Sequence, residues 1–171
     1  SRAILSNAAD AMAGMVLGQL RQRETAGGRG QSSTGQGADK PLIAATMFGV
    51  TTPCVEAAKA IFAAAGYEVL VFHATGSGGS AMETLIRDGL IAGVLDITTT
   101  EIADELVGGF LTAGPKRLTA AGELGIPQVV SVGATDMVNF HAPETVPEQF
   151  RGRTFYQHNA SVTLMRTTPE E

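Results

Sequence analysis

Apolar residues change their spacing several times along the chain, and each change marks an element. Ile4, Leu5, Ala8, Met12, Met15, Val16 and Leu20 recur at helical intervals, which predicts an amphipathic helix over about residues 2–22. The stretch from Gly27 to Gly37 is Gly- and Ser-rich and has nothing to bury, so 27–39 reads as a flexible linker. From Lys40 the pattern becomes regular. Leu42–Met47 is a continuous apolar run, as expected of a strand buried on both faces. Pro53 to Ala65 reads as a helix capped by Thr52 and closed by Gly66. Val69–Phe72 is a second strand. Ser80 to Leu90 is a second helix, with Ser80 and Glu83 at capping-box spacing. Val94–Ile97 is a third strand, and Thr98 with Glu101 repeats the box before a helix carrying Ile102, Leu106 and Val107. Pro115 to Leu124 predicts another helix, and Gln128–Val132 a fourth strand.

Short apolar strands alternating with helices imply right-handed crossovers. The expected fold class is α/β, an open parallel sheet flanked by helices on both faces, Rossmann-like or flavodoxin-like. Gly133 to Thr168 breaks this pattern. It reads as a long polar, Pro-containing segment with two short strands near Thr154–Gln157 and Val162–Met165, the kind of loop that is usually functional or partner-binding.

Composition narrows the function. The 171 residues carry a net charge of -5, and the basic residues are scattered, which disfavours general nucleic-acid binding. No apolar run is long enough to span a bilayer and no signal segment opens the chain, so no membrane partner and a cytoplasmic address are expected. The single Cys54 forms no internal disulfide and is read as a small structural residue in preference to a reactive thiol. The chain opens on Ser1-Arg2 and closes on Thr168-Pro169-Glu170-Glu171, where a helix is announced and not continued, so an excised domain, truncated at its C-terminus, is expected.

In an open parallel sheet, ligands bind beyond the carboxyl ends of the strands. Four polar turns occupy that edge: Thr51-Thr52; His73 to Ser80 with Thr75, Gly76, Ser77, Gly78 and Gly79; Thr98-Thr99-Thr100-Glu101; and Thr135-Asp136 leading to Asn139. The second turn is the most suggestive, because glycines let backbone N–H groups approach an anion and the following helix adds its positive end. The plainer alternative is a tight turn that uses Gly for positive φ and Ser80 as a cap. His73, Glu101 and Asp136 are weak candidates for acid/base work. His73 equally suits a satisfied polar place at the sheet edge, and Glu101 with Asp104 suits complementing a helix dipole. Asp136 and Asn139 either orient a ligand or brace the loop. His141 and His158 are far apart in sequence, and no pair of histidines has metal-ligand spacing, so no metal site is expected. A P-loop, a nucleophile elbow and a dinucleotide fingerprint after the first strand are all absent.

Four segments together carry a resemblance: Thr46 to Cys54, Phe72 to Gly79, Leu95 to Glu101, and Asp136 to Phe140. The chain resembles the Tm-one-like ATP-binding family, an uncharacterised and mostly bacterial group related to a plant inhibitor of tobamovirus replication. The resemblance covers nearly all of the chain outside the Gly-rich linker. It implies a two-half protein of which this is the second half, with 1–26 leading in from a missing N-terminal half, 27–39 the linker and 40–171 the α/β domain. It also implies a homodimer and binding of ATP, with Mg²⁺, near the cleft between halves. It implies no reaction, and antiviral inhibition belongs to the plant relative. The turns offer amides and hydroxyls but little positive charge, with no cation between Lys59 and Arg87, so the missing half is expected to supply charge for a small anionic ligand. Two other readings stay open: an enzyme acting on a small phosphorylated or carboxylate metabolite, and a structural or oligomerising domain.

Overall fold

A computed structural model describes residues 13, 14, 17, 18, 21 and 40–171 of the chain. Ala13, Gly14, Leu17, Gly18 and Arg21 are helical. The rest of the helix expected over 2–22, and the 27–39 linker, lie outside the described residues. Lys40–Glu171 forms a compact unit.

Within that unit the elements run β1 Leu42–Met47, α1 Thr52–Ala64, β2 Glu68–His73, α2 Ser77–Arg87, β3 Gly93–Thr98, α3 Thr100–Val107, α4 Ala120–Leu124 and β4 Gln128–Gly133. They are followed by β5 Met137–Phe140, β6 Phe155–Asn159 and β7 Val162–Arg166. The first four strands form a parallel sheet in the order β2-β1-β3-β4. Alternation along the strands divides the core into two layers. Ala44 and Val94 face Met82 and Ile86 of α2 and Ala120 and Ala121 of α4. Their neighbours Ala45, Leu95 and Ile97 face Val55 and Ala58 of α1. Helices therefore cover both faces, and each fully buried side chain such as Met82 or Ile86 contributes about 1.5–3 kcal/mol of transfer free energy. Among the described residues no helix is long and apolar enough to cross a membrane.

β4 departs from the two-sided burial its apolar run suggests. It is an edge strand, and Val129 and Val132 remain 64% and 80% exposed because no described element covers them.

Three helix starts also differ from the sequence expectation. α1 begins at Thr52 itself, after Thr51, which makes no side-chain cap bond. α2 begins at Ser77, one turn before the expected Ser80, because Gly76 at φ 84° turns the chain early. α3 begins at Thr100, and no side-chain cap bond forms from Thr98 or Thr99. Pro115 to Leu124 is helical only from Ala120. Leu118 there adopts the left-handed φ of 72°, which breaks the helical path.

The largest correction concerns 133–168. Instead of a long loop, it folds as an antiparallel sheet in the order β5-β7-β6. β6 and β7 extend the two short strands expected there, and β5 was not expected at all. One face of this sheet buries Val138, Phe140 and Met165 with Phe150 against Ala103 of α3. The connecting segment between β5 and β6 makes two short 3-10 turns, Pro143–Thr145 and Glu148–Phe150.

Candidate functional site

The carboxyl ends of β1 and β2 and the other face of the small sheet border an open cavity of about 410 Å³. Phe48, Gly49 and Val50 reach it from the turn after β1, and His73 from the end of β2. Asn139 of β5, His158 of β6, and Val162 and Leu164 of β7 complete the lining. Phe48 and His73 stack with ring centroids 5.5 Å apart and planes inclined by 29°. None of the lining residues carries a fixed charge.

Asn139 is the most constrained polar group there, at 1% exposure. Its backbone N–H donates to Asp104 Oδ1 at 2.8 Å, and its Nδ2 donates to the same oxygen at 3.1 Å and to Thr100 Oγ1 at 3.3 Å. The carboxylate partner fixes the orientation of the amide, since reversing it would set two acceptors together. Asn139 Oδ1 is consequently left buried without a hydrogen-bond partner. Burial pushes the Asp104 carboxyl above its usual value, an effect moderated by the N–H groups of Asn139 and Leu111.

The Gly-rich turn is built differently. Glu101 Oε1 accepts the backbone N–H of Gly76 at 2.6 Å and that of Gly79 at 3.1 Å. Glu101 Oε2 accepts from Arg117 Nε at 2.7 Å. Arg117 also makes a bidentate pair with Asp96, both bonds 2.6 Å, and lies 3.6 Å from Glu83 Oε1. The Arg117, Asp96 and Glu101 side chains are fully buried. Burial works against the charge on Arg117, but Asp96 and Glu101 outweigh it and raise its pKa, so it stays protonated at all ordinary pH. Glu83 accepts the backbone N–H groups of Leu118 at 2.8 Å and Ala120 at 2.9 Å, which holds the turn that aims Arg117 inward.

This arrangement explains the glycines. A Cβ on Gly79 would overlap the Glu101 carboxylate, and one on Gly78 would overlap the His73 carbonyl. Two of the amides that the sequence offers to an external anion thus already hold an internal one. The cation missing from the sequence around the turn is Arg117, brought in from about 40 residues downstream and fully paired.

The remaining residues singled out from sequence divide accordingly. Thr51 Oγ1 is bonded to Thr98 Oγ1 at 2.7 Å, and Thr98 also donates to the Thr46 carbonyl at 3.1 Å. Thr99 Oγ1 donates to the Ser131 carbonyl at 2.8 Å. Thr75 and Ser80 make long hydroxyl bonds of 3.4 Å to the carbonyls of His73 and Ala113. Thr52 is half-buried, Ser77 exposed at the start of α2, and Asp136 exposed and outside the cavity lining. Of the sequence-selected set, the cavity brings together His73 and Asn139. It adds Phe48, Gly49 and Val50, which lie in the first resemblance segment but were not selected as site residues, and His158, Val162 and Leu164, which no motif marked. His141 stacks on Phe110 with centroids 3.9 Å apart, away from this cavity.

Comparison with known proteins agrees with the family resemblance. Residues 40–171 match the model for the C-terminal domain of the uncharacterised protein family UPF0261. A UPF0261 protein of Clostridium tetani is 60% identical over the whole chain, which spans 39% of that protein. A UPF0261 protein of Rhizobium meliloti is 53% identical with the same coverage of 39%. The tomato (Solanum lycopersicum) ToMV resistance protein Tm-1(GCR237) is 52% identical, and the chain spans 22% of it. The chain is thus well under half the length of these relatives, and it belongs to the UPF0261 family, of which it carries the C-terminal domain.

Proposed function

We propose that this domain binds a nucleotide by its base, with ATP as the full ligand, and that the cavity beyond β1 and β2 takes the base. The observation that carries the reading is the buried, unpartnered Asn139 Oδ1. Leaving such an acceptor unpaired costs about 1–3 kcal/mol, which a donor on a ligand recovers. An exocyclic amino group of a base supplies that donor. The rings of Phe48 and His73, with Val50, Val162 and Leu164, supply apolar and aromatic walls suited to a flat heterocycle.

The same lining does not suit a triphosphate. It contains no Lys or Arg, and the described residues gather no group of three or more His, Cys, Asp or Glu placed to hold Mg²⁺. Phosphate recognition is therefore assigned to the part of the longer protein outside this chain, and this domain to the base.

Calorimetric titration of adenosine and of ATP-Mg²⁺ into the chain and into the full-length parent tests this division. Adenosine and ATP should bind the chain within a few-fold of each other, and ATP should gain about tenfold or more in the parent, the scale of an added charge-assisted contact. Val162→Trp, which projects an indole into the cavity, should weaken binding about tenfold or more while melting at the wild-type temperature. No binding of adenosine to the chain, or undiminished binding by Val162→Trp, overturns the base site. Equally tight ATP binding by chain and parent overturns the assignment of phosphate recognition elsewhere.

A further inference from the structure

Adjacent residues of β7 serve different cavities. Val162 and Leu164 line the one described above, whereas Thr163 between them lines a second, of about 430 Å³. Successive side chains of a strand point to opposite faces, so the two cavities are separated by the small sheet itself. The second cavity is walled by Pro143, Val146, Pro147 and Phe155, with Glu144, Arg151 and Gln157 as its other polar members.

Thr163 is only 2% exposed, yet its Oγ1 has no hydrogen-bond partner. Its cross-strand neighbours are Phe140 and Gln157. A buried hydroxyl normally finds a partner, and one left over on a residue that lines a cavity is a bond that a ligand can complete. The segment that walls the cavity is fixed in place. Pro143 and Pro147 each fix a backbone dihedral, and Phe150 anchors the segment in the apolar cluster under the sheet. Arg151 pairs with Glu148 at 2.7 Å, but both side chains are more than three-quarters exposed, and such a pair is readily exchanged for a ligand carboxylate.

We propose that this second cavity binds a small zwitterion with an apolar side chain, of the α-amino acid class. Arg151 takes the carboxylate, Glu144 the ammonium group, Thr163 Oγ1 a hydrogen bond to the ligand's polar head, and the prolines, Val146 and Phe155 the side chain. One cation and one anion, set among four apolar residues with Gln157 and Thr163, complement a ligand that carries both charges, whereas a simple anion would be opposed by Glu144 and a simple cation by Arg151. Nothing in this proposal depends on the nucleotide reading, since the two sites share no lining residue.

Thermal shift and calorimetry on the chain with L-leucine and L-phenylalanine test it, alongside 4-methylpentanoate, which lacks the amine, and 3-methylbutylamine, which lacks the carboxylate. At least one amino acid should raise the melting temperature at millimolar concentration, and each half-ligand should bind about tenfold more weakly or worse. Thr163→Val removes the orphan hydroxyl without changing shape, so it should raise the melting temperature of the unliganded chain while weakening amino-acid binding about tenfold. Arg151→Gln should weaken binding with no change in unliganded stability. The proposal is overturned if neither amino acid shifts the melt, if a half-ligand matches its parent amino acid, or if binding survives intact in both variants.

Discussion

Two groups of buried polar residues sit near the carboxyl ends of the strands, and they differ in whether their hydrogen bonds are complete. Around Arg117, the carboxylates of Asp96, Glu101 and Glu83 share one guanidinium, and Glu101 also takes two amides of the Gly-rich turn. Around Asn139, which lines a cavity, the amide nitrogen is doubly bonded and the buried amide oxygen has no partner. The first group resembles a ligand site with its ligand built in. The second leaves one acceptor unpaired, which is the basis of the base site proposed above. Glycines, hydroxyls and a helix start are shared by true anion cradles and by turns that pack on an internal carboxylate, so the discriminating feature is the unmade bond rather than the motif.

The comparison breaks most visibly at Arg117. Arg117→Met leaves buried carboxylates without their cation and should cost about 3–5 kcal/mol in urea unfolding, with Arg117→Lys recovering only part, since an ammonium cannot form the bidentate pair. A loss below about 1 kcal/mol for Arg117→Met would remove the structural role assigned to the cluster. Glu101→Gln comes next. It keeps the shape but replaces one acceptor oxygen with a donor facing Arg117 or the glycine amides, for a loss of about 2–3 kcal/mol by the same measurement.

Asp104 gives a smaller effect that depends on pH. Its folded carboxyl holds a proton more tightly than the unfolded one, whose value is near 3.8, because burial disfavours the charge. The folded state therefore binds more protons in that window, and the contribution of Asp104 to stability falls as pH rises from about 3.8 through the raised folded value. Urea midpoints measured across that range should show this negative contribution, and Asp104→Asn should remove it. An identical pH profile in the variant would contradict the assignment. The smallest effect belongs at Val50, which is exposed and lines the Asn139 cavity. Val50→Trp should change stability by no more than about 0.5 kcal/mol. The chain contains no other Trp, so its fluorescence should report adenosine entering the cavity. A silent indole in an adenosine-saturated protein would move the base away from this cavity.

The parallel sheet was legible because β1 to β4 are short, mostly apolar segments and α1 and α2 carry clear apolar faces, signals that need no knowledge of distant residues. The Arg117 cluster was not. Ser80 with Glu83, and Thr98 with Glu101, have the spacing of capping boxes, yet in neither case does the carboxylate serve its own helix start. A buried guanidinium that would otherwise lack partners outweighs a local cap worth about 1 kcal/mol, and Arg117 lies in a stretch whose composition reads as helix. β5 was hidden for a related reason. Asn139 interrupts a four-residue strand with a polar side chain whose partners, Thr100 and Asp104, lie 35 or more positions earlier. Asn139 stood out in sequence as a polar point among apolar neighbours. What could not be read there is that only half of its amide is satisfied.

The capture of Gly76 and Gly79 by Glu101 has a consequence for how the molecule breathes. Turn amides usually exchange their hydrogens with solvent quickly, since small local openings expose them. These two donate to a fully buried carboxylate that is itself clamped by Arg117, so releasing either one uncovers several charges at once. In deuterated water they should persist with the slowest amides of β1 and β3, which makes a glycine-rich turn one of the last parts of this domain to open.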